Sequence, residues 1–548
     1  MNQHPNSTSA PSSPFARAAG WPLLFLLALY LLPGTLQRGP WKNEDAMFFG
    51  VVWRALEGGD WLHFHLSSSA LPESPLYFWL SGVCANFLQV VLPAPAAIRF
   101  ATTLFVALTF GALYLTARRL FDKDWAGLAP LTLAGSLGLL VASHDVQPMT
   151  ATLATLSILL YGLSLIRPTA HQPAAPFAVA VAVIALGFGG LLLASGFRLL
   201  PAALALLAVG FAHDQRRRYA LALLVGLGAG SAFFLAWWSA LNERSPTLTA
   251  AWLNYQLELL SLHAESGKFF WINLTTLSWS AWPAWPLAAY AAWVHRRRLS
   301  SPALLGPAVL VVSLLLTLSL ASEARQIWLA TLLPPLALLS VPALMVLRRG
   351  AESLLDWFGR MIFGLLLLFL AIGWSAMTFG WPVRWAAKSA RLAPGFIGSI
   401  DPLAIGFSLL VVAGWIWTIY STRRSAQKSL FSWSGGLIAF WAVLVALWLP
   451  WFDHQRSYSG VAREIQKALG QSSVCVRTAN LTEAQFASFD YYLNNPMHRN
   501  PLDRKSCRTL LTQNASDGRA PVDGNWKLIW EGTRPGDKSE RYQLFRRN

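Results

Sequence analysis

Two carboxylates stand side by side at Glu44-Asp45, directly after the first long apolar run of the chain. Neighbouring carboxylates at a membrane interface raise one another's pKa, which suits a proton acceptor; two solvated loop acids are the alternative. A third acid, Asp145, sits in His144-Asp145-Val146 between two apolar runs with almost no loop. An ionisable group there points to function, or to an N-cap for the helix that starts near Pro148. Arg198 and Arg325 lie at the ends of apolar runs, where a guanidinium can hold a phosphate bidentately or anchor to lipid head groups. The same two readings apply to Arg38, Lys42, Arg54, Lys268, Arg384 and Lys388. His63, His65 and His263, with Glu73 and Glu265, contain types that can share a divalent cation, although no tight ligand spacing supports one. There is no phosphate-binding P-loop, no GxGxxG before a helix and no CxxC pair.

These groups need a scaffold, and the composition says which. In 548 residues, 55% are hydrophobic and only 13% charged. Soluble proteins carry roughly 25% charged residues, so a soluble multidomain enzyme is excluded, and disorder is excluded with it. The 27 Trp and 31 Phe suit a chain that lies at membrane interfaces. Apolar runs near 21–36, 98–117, 125–143, 148–166, 176–194, 198–212, 219–240, 271–294, 302–320, 326–347, 358–380, 400–420 and 431–450 are each read as a membrane span. The first is not read as a signal peptide, because no small-residue cleavage site follows it.

Basic clusters set the orientation. Arg118-Arg119, Arg167, Arg216-Arg217-Arg218, Arg296-Arg297-Arg298, Arg348-Arg349 and Arg423-Arg424 follow every second span, provided that the run 76–92 does not cross. That run is therefore expected to lie in the outer interface. The net charge of +17 becomes a topological signal, and a nucleic-acid partner loses its support. The expected layout is a disordered cytosolic tail (1–20), a thirteen-span domain (21–450) with a long periplasmic first loop (37–97), and a periplasmic α/β domain (451–548). In the last, a helix over 460–469 and strands at 473–477 and 526–530 are expected. Cys475 and Cys507 would pair as a disulfide there, or remain two free thiols.

The order of these features resembles the bacterial lipid-linked glycosyltransferases of the aminoarabinose-transferase and protein O-mannosyltransferase type. Glu44-Asp45 is followed by Gly59-Asp60-Trp61, then by Glu73-Ser74-Pro75-Leu76-Tyr77-Phe78-Trp79, in place of the family's Glu-Lys-Pro-Pro-Leu-Tyr-x-Trp. Asp145 matches the second-loop acid, His263 the histidine before an aromatic span start, and Arg325 with Pro334-Pro335 the late basic motif. The acid order is swapped from Asp-Glu, Ser74 replaces a lysine, and Ser195-Gly196 replaces Lys-Gly. Both lost lysines would face a lipid phosphate; either Arg198 and Lys268 take over that role, or the losses mark a different donor or weakened activity.

The resemblance implies a GT-C fold, all-α and polytopic, in the cell inner membrane with a cytosolic N-terminus. It implies an inverting transfer of a sugar from a polyprenyl-phosphate donor to a lipid, glycan or protein acceptor on the periplasmic face. Glu44, Asp45 and Asp145 would be catalytic; Arg325, Arg198 and Lys268 would bind the donor phosphate; Glu73 and His263 are candidate ligands for a divalent cation. The competing classes are a lipid or glycan flippase, which would need repeats or broken helices at mid-membrane, and a non-catalytic protein on the same fold.

Overall fold

The computed structural model describes residues 20–547 apart from 67–72, 210–215, 262–265, 322–324, 422–425, 471–473, 494–496, 499–506, 515–525 and 538–539. The expected N-terminal tail therefore lies outside the described residues, as do His263, Glu265 and Arg423-Arg424.

Every expected span falls on a helix or a helix pair. Among the described residues, eight are helices long and apolar enough to cross a membrane, so the chain is a multi-pass membrane protein. They are α4 (Ala94–Leu120), α8 (Phe177–Ser195), α10 (Arg216–Arg244), α14 (Pro302–Leu320), α15 (Leu333–Met345) with the 3₁₀ turn Gln326–Leu332 before it, α16 (Arg349–Phe379), α18 (Pro402–Ser421) and α19 (Ala426–Arg456). The other five are shorter or interrupted: α1 (Trp21–Leu31), the pair α5 (Leu128–Ala134) and α6 (Leu137–Leu140), α7 (Met149–Leu165), α9 (Leu200–Val209), and the pair α12 (Ser266–Ser280) and α13 (Ala284–Val294). The α5–α6 break serves packing. Trp433 Nε1 and Ser434 Oγ of α19 donate to the carbonyls of Gly135 and Leu131 at 2.9 and 2.8 Å. Pro283, which has no amide hydrogen to donate, lies in the α12–α13 break. Close helix contact uses glycine: a Cβ on Gly189 of α8 would stand 2.6 Å from the Gly230 carbonyl of α10.

The remaining helices gather at one end of the bundle. They are α2 (Glu44–Leu56), α3 (Leu76–Leu88), α11 (Pro246–Leu259), α17 (Val383–Leu392), α20 (Ser459–Leu469) and α21 (Glu483–Tyr492). At 1.5 Å per residue, the 13 residues of α3 cover about 20 Å. Its residues Val83 and Phe87 are exposed.

The C-terminal sheet has the order β2–β1–β3–β5–β4, with β1 (Val476–Ala479), β2 (Met497–His498), β3 (Thr509–Asn514), β4 (Trp526–Thr533) and β5 (Arg541–Arg547). β1 runs parallel to β2 and β3, and β5 runs antiparallel to β3 and β4. The helix expected over 460–469 is α20. The strand expected over 473–477 is β1, which begins at Val476, with Ser473 outside the described residues; Cys475, just before it, is bonded to Cys507 with their Cα atoms 5.0 Å apart. Thr482 and Gln485 close a capping box on α21.

The domain is not a separate appendage. Phe48, Phe49 and Val52 of α2 and Phe78 of α3 share one core with Ile465 of α20, Phe486 and Phe489 of α21, and Tyr542 and Leu544 of β5. Gly50 lets α2 approach α21, since a Cβ there would meet the Ala487 Cβ at 2.3 Å. Arg54 binds both carboxylate oxygens of Asp490, at 2.9 and 3.2 Å. The first loop and the C-terminal domain thus form one body over the end of the bundle, and that body supplies and supports the acidic site.

Candidate active site

The site begins with a carboxylate that has no access to water. Asp45 lies in the first turn of α2, where a negative charge suits the helix N-terminus. Its Oδ2 accepts from Arg38 Nη1 at 2.7 Å, from Arg99 Nη2 at 3.3 Å and from the Trp41 amide at 2.8 Å. Its Oδ1 accepts from the Val146 amide at 2.7 Å. Burial alone would raise the Asp45 carboxyl. Arg38, Arg99 and the two amides instead bring it down to about 2.

The two arginines extend the network. Arg99, fully buried in α4, also donates to the carbonyls of Thr35, Arg38 and Gly39 and so shapes the α1–α2 loop. Arg38 Nη2 donates to the His144 carbonyl at 2.6 Å and to Asp145 Oδ1 at 2.5 Å. Two cations and two carboxylates therefore balance, and they tie four chain segments together. The Asp145 side chain is 26% exposed, against 2% for Asp45. Burial pushes the Asp145 carboxyl up to about 6; Arg38 opposes the rise and Asp45 adds to it.

A hydrogen-bond relay fixes the Asp145 loop. The Gln147 amide donates to Tyr77 Oη at 3.1 Å, and Tyr77 Oη lies 2.6 Å from Thr102 Oγ1, which donates to the Asp145 carbonyl at 2.7 Å. Trp79 Nε1 donates to the Trp61 carbonyl at 2.8 Å. Asp60 accepts from the Leu62 amide and pairs with Arg244. Tyr77 of the Leu-Tyr-x-Trp motif thus supports the Asp145 loop, and Trp79 ties that helix to the Gly-Asp-Trp segment.

The open part of the site is a second ionic group. Arg325 Nη2 lies 2.7 Å from Glu44 Oε1, and Arg325 Nη1 lies 3.0 Å from Glu73 Oε1. The other oxygen of Glu44 accepts from Gln147 Nε2 at 3.0 Å. The Glu44 side chain is 39% exposed and that of Arg325 is 26% exposed. Arg198 approaches the segment that follows Arg325: its guanidinium stacks over Trp328 at 4.7 Å and donates to Tyr255 Oη at 3.4 Å.

No protein-family model and no curated protein matches the sequence. Solved structures do. ArnT from Cupriavidus metallidurans bound to undecaprenyl phosphate is 15% identical, with a TM-score of 0.69 over 95% of this chain and 97% of that one. The apo form of the same protein gives 16% and 0.68, over 96% of this chain and 98% of that one. The chain has the GT-C fold. The oligosaccharyltransferase AglB from Archaeoglobus fulgidus also aligns, at 11% identity and a TM-score of 0.46, over 90% of this chain and 69% of that one.

Within this GT-C fold the sequence candidates separate. Glu44, Asp145, Glu73 and Arg325 come together around the α1–α2 and α6–α7 loops, with Arg198 behind Trp328. Lys268 is exposed in the first turn of α12. His263 lies outside the described residues, and Glu73 is engaged by Arg325. Among the described residues no group of three or more His, Cys, Asp or Glu is placed to hold a metal ion. Sequence reading missed Arg99 and Gln147. Arg99 had a signal, an ionisable residue inside an apolar run; Gln147 had none.

Breaking a buried ion pair from one side costs about 3–5 kcal/mol. Asp45→Asn leaves Arg38 and Arg99 with one carboxylate fewer, and it should sharply lower the melting temperature of the purified protein. Glu44→Gln, one residue earlier but half open, should melt within a few degrees of the wild type. Equal melting of the two variants would contradict the distinction.

Proposed function

We propose that the protein is a membrane glycosyltransferase that moves a sugar from a polyprenyl phosphate to a hydroxyl of a lipid, glycan or protein acceptor. The observation that carries this reading is the sharing of Arg325 between Glu44 and Glu73, beside the partly open Asp145, on a GT-C scaffold. The ArnT structure that resembles the chain holds undecaprenyl phosphate, which fits a donor of that class. The N-terminus is assigned to the cytosol and the C-terminal domain to the periplasm, on the alternation of the basic clusters. A flippase would place its polar residues at mid-membrane, whereas this cluster sits at one end of the bundle.

The mechanism follows from which contacts can change. A donor phosphate competes with two carboxylates for the Arg325 guanidinium. When a phosphate oxygen takes the place of Glu44 Oε1 on Nη2, that carboxylate oxygen is released while Gln147 keeps the side chain in position. Glu44 then accepts the proton of the acceptor hydroxyl as its oxygen attacks the anomeric carbon. The bond from that carbon to the phosphate oxygen breaks, and polyprenyl phosphate leaves with the electron pair. A single displacement inverts the anomeric centre. Arg325, with Arg198 behind it, offsets the charge that gathers on the leaving phosphate. Asp145 faces the same opening and orients the acceptor. Asp45 takes no part in the chemistry, because both of its oxygens are already occupied; it holds the loops that carry Glu44 and Asp145.

Cleavage of a labelled polyprenyl-phosphate sugar by the purified protein tests this reading. Removing a positioned base costs roughly 10²–10⁴ in rate, and Glu44→Gln should lose about that factor. Arg325→Ala should lose donor use severely, while Arg325→Lys keeps a charge but not the fork and should fall between. Wild-type turnover in Glu44→Gln and Arg325→Ala together would sink the assignment.

The pH dependence gives a separate check. The phosphodiester of the donor stays ionised throughout the neutral range, so it adds no limb of its own. The ionised form of Asp145 is the one that can accept a hydrogen bond at both oxygens. The cleavage rate should therefore rise with pH through about 6 and level off above it, and Asp145→Asn should be slow and flat over the same range. An unshifted acid limb in Asp145→Asn would assign it to another group.

A further inference from the structure

A large cavity lies away from the acidic cluster. Its volume is about 1040 Å³, at the upper end of the roughly 300–1,000 Å³ typical of ligand sites. α1 contributes Phe25 and Leu29 to its walls, α18 contributes Leu403 and Phe407, and α19 contributes Val445 and Leu449. None of Glu44, Glu73, Asp145, Arg198 and Arg325 lines it. The walls belong to membrane-spanning helices, so the natural filling is hydrocarbon.

The mouth of the cavity is polar and opens at the end of the bundle that carries the C-terminal domain. Gly395, Phe396 and Ile397 form one side, and Arg463 of α20 and Pro535 lie on the domain side. The two acids at the mouth already serve the fold. Asp401 Oδ1 accepts from the Leu403 and Ala404 amides, and Asp453 Oδ1 accepts from the Trp41 indole and the Gly39 amide. His454 Nε2 faces the Pro394 carbonyl at 2.9 Å. Arg463 is exposed.

The helix that leads into this mouth carries the second observation. α17 has no buried residue. Arg384, Lys388 and Arg391 recur at i, i+4 and i+7, so they form one stripe. The helix carries no acid. Trp381, Val383, Trp385 and Leu392 are exposed apolar residues on and beside it. Trp385 packs against Phe369 of α16 with ring centroids 5.0 Å apart, and Gln455 Nε2 donates to the Leu392 carbonyl, so the helix is pinned at the level of the domain. A basic helix with exposed tryptophans, attached at the end of a transmembrane bundle, lies in the plane of the interface and attracts anionic head groups.

We infer that the α1–α18–α19 cavity and the basic stripe of α17 together form a binding site for one anionic phospholipid of the surrounding bilayer, separate from the site proposed for the donor. The acyl chains fill the cavity between the helices. The head-group phosphate lies at the mouth, where α17 and Arg463 supply the positive charge. The cavity also adjoins the back of the α1–α2 loop through Gly34 and Gln37. An occupied cavity therefore supports the loop whose Arg38 holds Asp45 and Asp145.

The test uses the full-length protein, delipidated in detergent and titrated with phosphatidylglycerol or phosphatidylcholine, with native mass spectrometry as the readout. The wild type should retain one phosphatidylglycerol at least about tenfold more tightly than phosphatidylcholine. Neutralising the stripe in the combined variant R384Q, K388Q and R391Q should bring the two lipids to the same affinity. Ala404→Phe, which narrows the cavity, should weaken both lipids alike. Donor cleavage by the neutralised variant should persist, since none of its changes touches the acidic cluster. Equal affinity for the two lipids in the wild type would overturn the proposal. So would a retained preference in the neutralised variant, and so would displacement of phosphatidylglycerol by an equimolar polyprenyl phosphate, which would make the cavity a donor site.

Discussion

A carboxylate buried away from water is tolerated only if every lone pair is answered, and Asp45 meets that condition with two arginines and two amides. This one requirement organises the end of the bundle. Arg38 comes from the α1–α2 loop, Arg99 from α4, and the Val146 amide from the loop before α7. Both arginines also hold something else: Arg99 shapes residues 35–39, and Arg38 secures Asp145. The electrostatic balance of the cluster is thus what fixes the relative positions of Glu44, the residue before Asp45, and Asp145, which Arg38 holds and which precedes the Val146 amide. A mobile loop with the same acids would place them only on average.

The open ionic group has the opposite character. Arg325 and its two carboxylates are partly exposed, and three charges of which two are negative leave the guanidinium saturated and the site slightly anionic. Such a group is stable without a ligand and ready to exchange a partner for one. A phosphate brings the same oxygen geometry as a carboxylate, so the exchange costs little in orientation. In the proposed reaction it would link arrival of a donor to the release of Glu44, with the proposed base and the cation for the leaving group one hydrogen bond apart.

Much of this was visible in the sequence, for a physical reason. Ionisable residues at the ends of apolar runs are costly, so Glu44, Asp145 and Arg325 stood out against a background with few charges. The basic clusters placed the spans, and they kept 76–92 from being counted as one. Adjacent residues were harder. Nothing local distinguishes Glu44 from Asp45, and only tertiary burial separates the open carboxylate from the enclosed one. Arg99 was hidden inside a run read as a span, although its charge was a signal. The union of the first loop with the C-terminal domain was not legible at all, because Gly50 and Ala487 are far apart in sequence and neither carries a local pattern for the other.

The central claim is that Arg325 gives up a carboxylate to take the donor phosphate. The most direct measurement is the affinity of the purified protein for a polyprenyl phosphate when one competitor is removed. Glu73→Gln leaves the guanidinium with a single anionic partner, and a charge-assisted hydrogen bond is worth about 1.5–3 kcal/mol. The account predicts that this variant binds the lipid phosphate more tightly than the wild type, by about tenfold or more. Unchanged or weaker binding would contradict the exchange and leave the three residues as a fixed ion-pair network.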